Sequence, residues 1–119
     1  MSTQSSEKLL RDMMRQYCDD RSSVYPDMEK LREVLTQLSD QQKLHILQQD
    51  YSGCWRPLYC AATRDDTVII NTLLTSLQSS ADRLKLLMVN KYNTPLHAAA
   101  LIGHTESVKM ILDCLTADQ

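Results

Sequence analysis

Thr94-Pro95-Leu96-His97-Ala98-Ala99-Ala100-Leu101-Ile102-Gly103-His104-Thr105 decides how this chain is read, because its pattern occurs twice. The earlier copy is Arg56-Pro57-Leu58-Tyr59-Cys60-Ala61-Ala62-Thr63-Arg64-Asp65-Asp66-Thr67, with Pro57 in the place of Pro95. The correspondence runs on. Val68-Ile69-Ile70 with Leu73-Leu74 answers Glu106-Ser107-Val108 with Ile111-Leu112. A third, partial copy sets Leu31, Val34, Leu35 and Leu38 one period ahead of Ile70, Leu73, Leu74 and Leu77. Self-similarity at a fixed period, here about 38 residues, marks a repeat architecture.

Each period has a local physical meaning. The Thr94 hydroxyl can cap a helix, and Pro95 suits the first turn, where its missing N–H costs nothing. Ala98 to Ala100 are small enough to let a short helix lie close to its neighbours. Gly103 suits the left-handed residue that ends such a helix. Thr105 can then cap a second helix, with Val108, Ile111, Leu112 and Leu115 recurring at helical spacing. In the earlier copy Asp66 can cap the helix that starts near Thr67. A helix pair this small cannot bury its own apolar faces, but stacked pairs can.

Working outward, each second helix is followed by a further helical signal. Ser39 or Asp40 can cap a helix running to Gln49 with Leu44 and Leu47 inward. Ser80 can cap another, with Leu84, Leu87 and Met88 inward. Glu7 to Tyr17 forms an amphipathic helix with Leu9, Leu10, Met13, Met14 and Tyr17 on one side. Cys18 to Pro26 is polar and reads as a loop, and Asp27 can cap the helix containing Leu31 and Leu35. The organisation is then a disordered start at 1–6, a degenerate N-terminal capping repeat at 7–50, a repeat with an extra helix at 51–89, and a last repeat at 90–119.

Composition agrees with an all-α chain. Of 119 residues only two are glycine and three proline; there is no phenylalanine and a single tryptophan. The apolar share of 43% is enough for a core. The net charge of -2, without a basic run, argues against nucleic-acid binding. No apolar stretch approaches the length of a membrane span, and Met1 to Ser6 carries no secretion signal. The expected location is therefore cytoplasmic or nuclear, with Cys18, Cys54, Cys60 and Cys114 reduced.

With these residues in view, Thr94-Pro95-Leu96-His97-Ala98-Ala99-Ala100, then Gly103-His104 and the Val108/Leu112 helix, resembles the ankyrin repeat signature. Residues 51–77 resemble a second copy, with Tyr59 in place of the histidine and Asp65-Asp66 in place of Gly-His. Residues 27–38 resemble only the second helix of a repeat. The resemblance implies an ankyrin-like helical repeat solenoid, here with helical insertions between repeats and a degenerate N-terminal cap. The period exceeds the usual ankyrin length of about 33 residues, and the insertions account for the excess. Tyr92 stands where the family usually has the glycine of its finger turn, so the β-hairpin fingers are expected to be shortened or replaced. The resemblance also implies binding to a partner protein, with no common catalysis and no common cofactor.

Chemistry-bearing residues fit that frame. His97 at this position implies a hydrogen bond to neighbouring backbone that holds the turn. Cys54 and Cys60 lack the spacing of a zinc site, and a Cys60–His97 pair has no oxyanion-stabilising or orienting group beside it. No metal, no cofactor and no enzyme activity are expected. In the family frame the variable inner-helix positions are Cys60, Thr63 and Arg64, then Ala98, Leu101 and Ile102. The finger positions are near Tyr51, Trp55 and Arg56, then Lys91, Tyr92 and Asn93. Aromatic and arginine side chains dominate interface hot spots. The expected partner-binding set is Trp55, Arg56, Tyr59, Arg64, Tyr92, Leu101 and Ile102. Leu101 and Ile102 admit two readings: a binding site, or a face covered by a further repeat in a longer chain. An exposed last repeat also invites self-association. The competing reading of the whole is a structural N-terminal capping segment of a larger repeat protein, without a partner of its own.

Overall fold

A computed structural model describes residues 3–19, 25–49, 51, 56–87 and 94–116. Every regular element among them is a helix: α1 (Thr3–Cys18), α2 (Met28–Thr36), α3 (Asp40–Leu47), α4 (Pro57–Thr63), α5 (Thr67–Ser76), α6 (Ser80–Leu87), α7 (Pro95–Ile102) and α8 (Thr105–Thr116). The chain divides into two units, Met1–Pro57 and Leu58–Gln119.

In the first unit α1 packs on α2 and α3. Its inward stripe is Leu10, Met13, Met14, Tyr17 and Cys18, at the spacing of one helix face. Leu9, expected in that stripe, is only half-buried, and Cys18 takes the inner position. Leu31, Val34, Leu35 and Leu38 with Leu44, Ile46 and Leu47 complete the core. Polar ties fix the register. The Ser6 hydroxyl donates to Gln37 Oε1, and Gln42 Nε2 donates to Glu7 Oε1 at 2.9 Å. The expected disordered start is thus corrected for residues 3–6. They form the first turn of α1, and Ser6 is buried with its hydroxyl satisfied. Asp27 caps α2, accepting from the Glu29 and Lys30 N–H groups. Ser39 caps α3 in a capping box, its hydroxyl taking the Gln42 N–H while the Gln42 side chain takes the Ser39 N–H.

The second unit is built from two copies of one helix–turn–helix, α4–α5 and α7–α8, with α6 between them. α5 packs against α8, and so do α6 and α7. The two copies close their turns with the same pair of bonds. The Gly103 N–H donates to Ala100 at 3.2 Å and the His104 N–H to Ala99 at 2.8 Å. The Asp65 N–H donates to Ala62 at 3.4 Å and the Asp66 N–H to Ala61 at 2.9 Å. Both are Schellman closures, and both need a left-handed residue: Gly103 at φ 88° and Asp65 at φ 54°. The aspartate occupies the glycine's place because its short polar side chain tolerates that region better than most.

The core of the second unit is α5, whose Ile69, Ile70, Leu73 and Leu74 are fully buried together with Leu77 just after it. α6 differs from expectation. Its cap is Ser79, whose hydroxyl accepts the Asp82 N–H at 3.1 Å, and Leu84 faces solvent at 49% exposure. The inward residues are Leu86, Leu87 and Arg83. α8 turns Ser107, Ile111 and Cys114 inward, so its buried stripe lies one step round from the one expected, and Leu112 is 47% exposed. Thr105 is the first helical residue of α8 rather than its cap, since the Val108 N–H already bonds the His104 carbonyl.

Candidate protein-interaction surface

Tyr59, Leu101 and Ile102 lie on α4 and α7, with Arg56 and Arg64 flanking α4, so the placement of these helices comes first. Thr94 caps α7, accepting the His97 N–H at 3.1 Å, with Pro95 in the first turn. His97 therefore meets the turn through its backbone, and its ring is exposed. The ring expected to brace the fold is instead His104. Its Nδ1 lies 2.9 Å from the Ala62 carbonyl, a contact that needs the proton on Nδ1. Beside it the Ser107 hydroxyl donates to Asp65 Oδ1 at 2.6 Å. These two bonds seat the start of α8 on the α4–α5 turn.

Of the seven expected partner-binding residues, Trp55 and Tyr92 lie outside the described residues, as do Lys91 and Asn93 of the finger positions. Arg56 is half-buried just ahead of α4. Tyr59 is half-buried on α4, and Arg64 is exposed at its C-terminal end. Leu101 and Ile102 end α7 at 74% and 53% exposure. Arg64 and Ile102 occupy the same place in the two copies, as do Thr63 and Leu101. Two of the variable inner-helix positions are corrected. Cys60 and Ala98 are buried, because the first turns of α4 and α7 point them into the core, and neither can meet a partner.

Tyr51 is not a free finger residue either. Its hydroxyl donates to the Ile46 carbonyl at 2.7 Å, and burial pushes its pKa up to about 12. Burial likewise raises the Cys114 thiol above its ordinary value. Cys18, Cys60 and Cys114 are buried, reduced thiols.

Sequence reasoning missed Arg83. Its buried guanidinium donates through Nε to the Leu74 and Leu77 carbonyls, at 2.9 and 3.0 Å, and through a terminal nitrogen to the Cys114 carbonyl at 2.8 Å. It thereby satisfies the C-terminal carbonyls of α5 and holds the end of α8 beside them. A signal was present. Ser39-Asp40-Gln41-Gln42-Lys43-Leu44 and Ser79-Ser80-Ala81-Asp82-Arg83-Leu84 align at close to the repeat offset, which pairs the two buried cations Lys43 and Arg83. Lys43 lies 3.7 Å from Asp40.

Among the described residues no helix is long and apolar enough to cross a membrane. The ankyrin repeat family model matches residues 91–118, which take in α7 and α8. No curated protein and no solved structure matches the chain.

Proposed function

We propose that the chain is a protein-interaction module, an ankyrin-like solenoid that presents inner-helix ends and finger segments to a protein partner. α3 and α6 are then helical insertions between repeats, and α1 to α3 form a degenerate N-terminal cap. The observation that carries the reading is the exposed pair Leu101 and Ile102 at the end of α7, inside the segment that matches the ankyrin repeat. Large apolar groups at the rim of a rigid helix pair supply contact area at little conformational cost, since the backbone is already ordered. Arg64 adds a charged head at the equivalent rim of the first copy. Trp55, Arg56, Tyr59 and Tyr92 complete the proposed contact set. Rigid presentation is the whole mechanism, with no bond made or broken. Buried, reduced thiols suit a reducing compartment, and the proposed location is the cytoplasm or nucleus.

The test is affinity capture with the intact chain beside two variants, Trp55→Ala/Arg56→Ala/Tyr92→Ala and Leu101→Ser/Ile102→Ser. Both variants are expected to stay helical and to lose the captured partner. Retention of every partner by both would overturn the reading.

A further inference from the structure

A groove of about 440 Å³ opens beside α8, lined by Ala100, Gly103, Val108, Lys109, Leu112 and Asp113. One period earlier the same positions are Ala62, Asp65, Ile70, Asn71, Leu74 and Thr75. In the first copy Ala62, Ile70 and Leu74 of that face are buried, Asp65, Asn71 and Thr75 are exposed, and the two ends of α8 reach its edge. Ala62 receives His104, Asp65 receives Ser107, and Asn71 Oδ1 lies 3.9 Å from Cys114 Sγ. Leu74 is fully buried there, whereas its counterpart Leu112 is 47% exposed. The groove is therefore the counterpart of a face that in the first copy meets a helix, where α8 lies parallel to α5 with Ser107 and Cys114 toward it.

We propose that this face docks a second copy of the chain, forming a two-fold dimer in which α8 packs antiparallel against α8 of the other copy. A two-fold contact must be self-complementary, so that each residue's partner returns the same contact. α8 meets that condition. In an antiparallel pairing centred on residues 110 and 111, Val108 lies over Leu112 of the other copy and Lys109 lies opposite its Asp113. Both pairs form twice. The apolar pair closes over the groove, and the charge pair lines its edge and sets the register. Leu101 and Ile102 extend the apolar area from the adjoining helix. The dimer deepens the reading of the chain as an interaction module and rests on it.

The experiment is sedimentation of the intact chain over a micromolar dilution series. A reversible monomer–dimer equilibrium is expected. Leu112→Asp should raise the dissociation constant by about tenfold or more. Lys109→Glu and Asp113→Lys should each weaken the dimer by about tenfold, since each sets like charges together twice, and the double variant should recover most of the loss. Circular dichroism checks the fold; should Leu112→Asp unfold, the charge-exchange set still decides. A chain monomeric throughout overturns the proposal, as does a dimer indifferent to Leu112→Asp or a double variant no better than its parents. A monomer whose α8 amides gain exchange protection only when a second copy of residues 79–116 is fused behind Gln119 also overturns it, and marks the occupant as a further repeat. A monomer that still captures its partner sinks the dimer alone. A dimer whose contact-set variants keep every partner sinks the partner-binding reading alone.

Discussion

Gly103 and Asp65 show how one backbone demand is met by two side chains. An ideal Cβ at Gly103 would meet nothing within 4 Å, so the cost of Gly103→Ala is conformational and should be about 1 kcal/mol in urea unfolding. Asp65 already sits left-handed, and its carboxylate also holds Ser107. Asp65→Asn keeps both the tolerance and an acceptor, and should stay within about 0.5 kcal/mol of the parent, whereas Asp65→Ala loses both and should cost about 2 kcal/mol. Arg83→Met leaves buried carbonyls without their donor and should cost about 3 kcal/mol, with Arg83→Lys recovering little, because one ammonium cannot span three acceptors. Tyr51 offers a pH test. Its pKa is raised from 10.0 to about 12 by burial, so the folded state holds the proton more tightly than the unfolded state. The stability it contributes is complete below pH 10 and declines between pH 10 and about 12. Tyr51→Phe should flatten that part of the pH profile, and a late tyrosinate transition should vanish from the ultraviolet titration.

At the scale of the element, caps decide where helices begin. The capping residues Asp27, Ser39, Asp66 and Thr94 could be read from the chain, because each is a short oxygen-bearing side chain directly ahead of a helical pattern. Thr94→Ala should cost about 1 kcal/mol, and so should Ser39→Ala, both measured by denaturant titration. The faces of α6 and α8 could not be read so well. Apolar spacing placed Leu84 and Leu112 inward, but both face solvent, while Arg83 and Ser107 take inner places. Periodicity counts apolar residues and is blind to a polar group that earns burial by meeting carbonyls across a turn or a carboxylate on a neighbouring copy.

At the scale of the molecule, position among the repeats outweighs residue type. Leu74 and Leu112 are the same residue at the same place in two copies. Leu74→Ala should cost about 3 kcal/mol, whereas Leu112→Ala should stay within about 0.5 kcal/mol when measured at concentrations that keep the chain monomeric. The inversion of that order would mean that the two copies are not equivalent. Of the candidate contact surface, the rim residues Leu101, Ile102 and Arg64 were legible because large groups followed the small-residue helix just where it ends. Cys60 and Ala98 were misplaced because a variable position is not for that reason an exposed one. Self-association through the last repeat could be raised from the sequence, but the residues lining the groove along α8 could not be named, since Val108 and Leu112 correspond to core residues in the copy that precedes it.

The order of amino acids alone determined the helical class, the spacing between copies, the turn residues and most caps, because these rest on short-range rules of dihedral preference and local hydrogen bonding. Only the folded chain decided which member of each repeated pair is covered, that His104 rather than His97 braces the neighbouring turn, and that Arg83 belongs inside. Those outcomes depend on which carbonyls and apolar faces another helix happens to reach, and groups far apart along the chain carry no local mark of meeting.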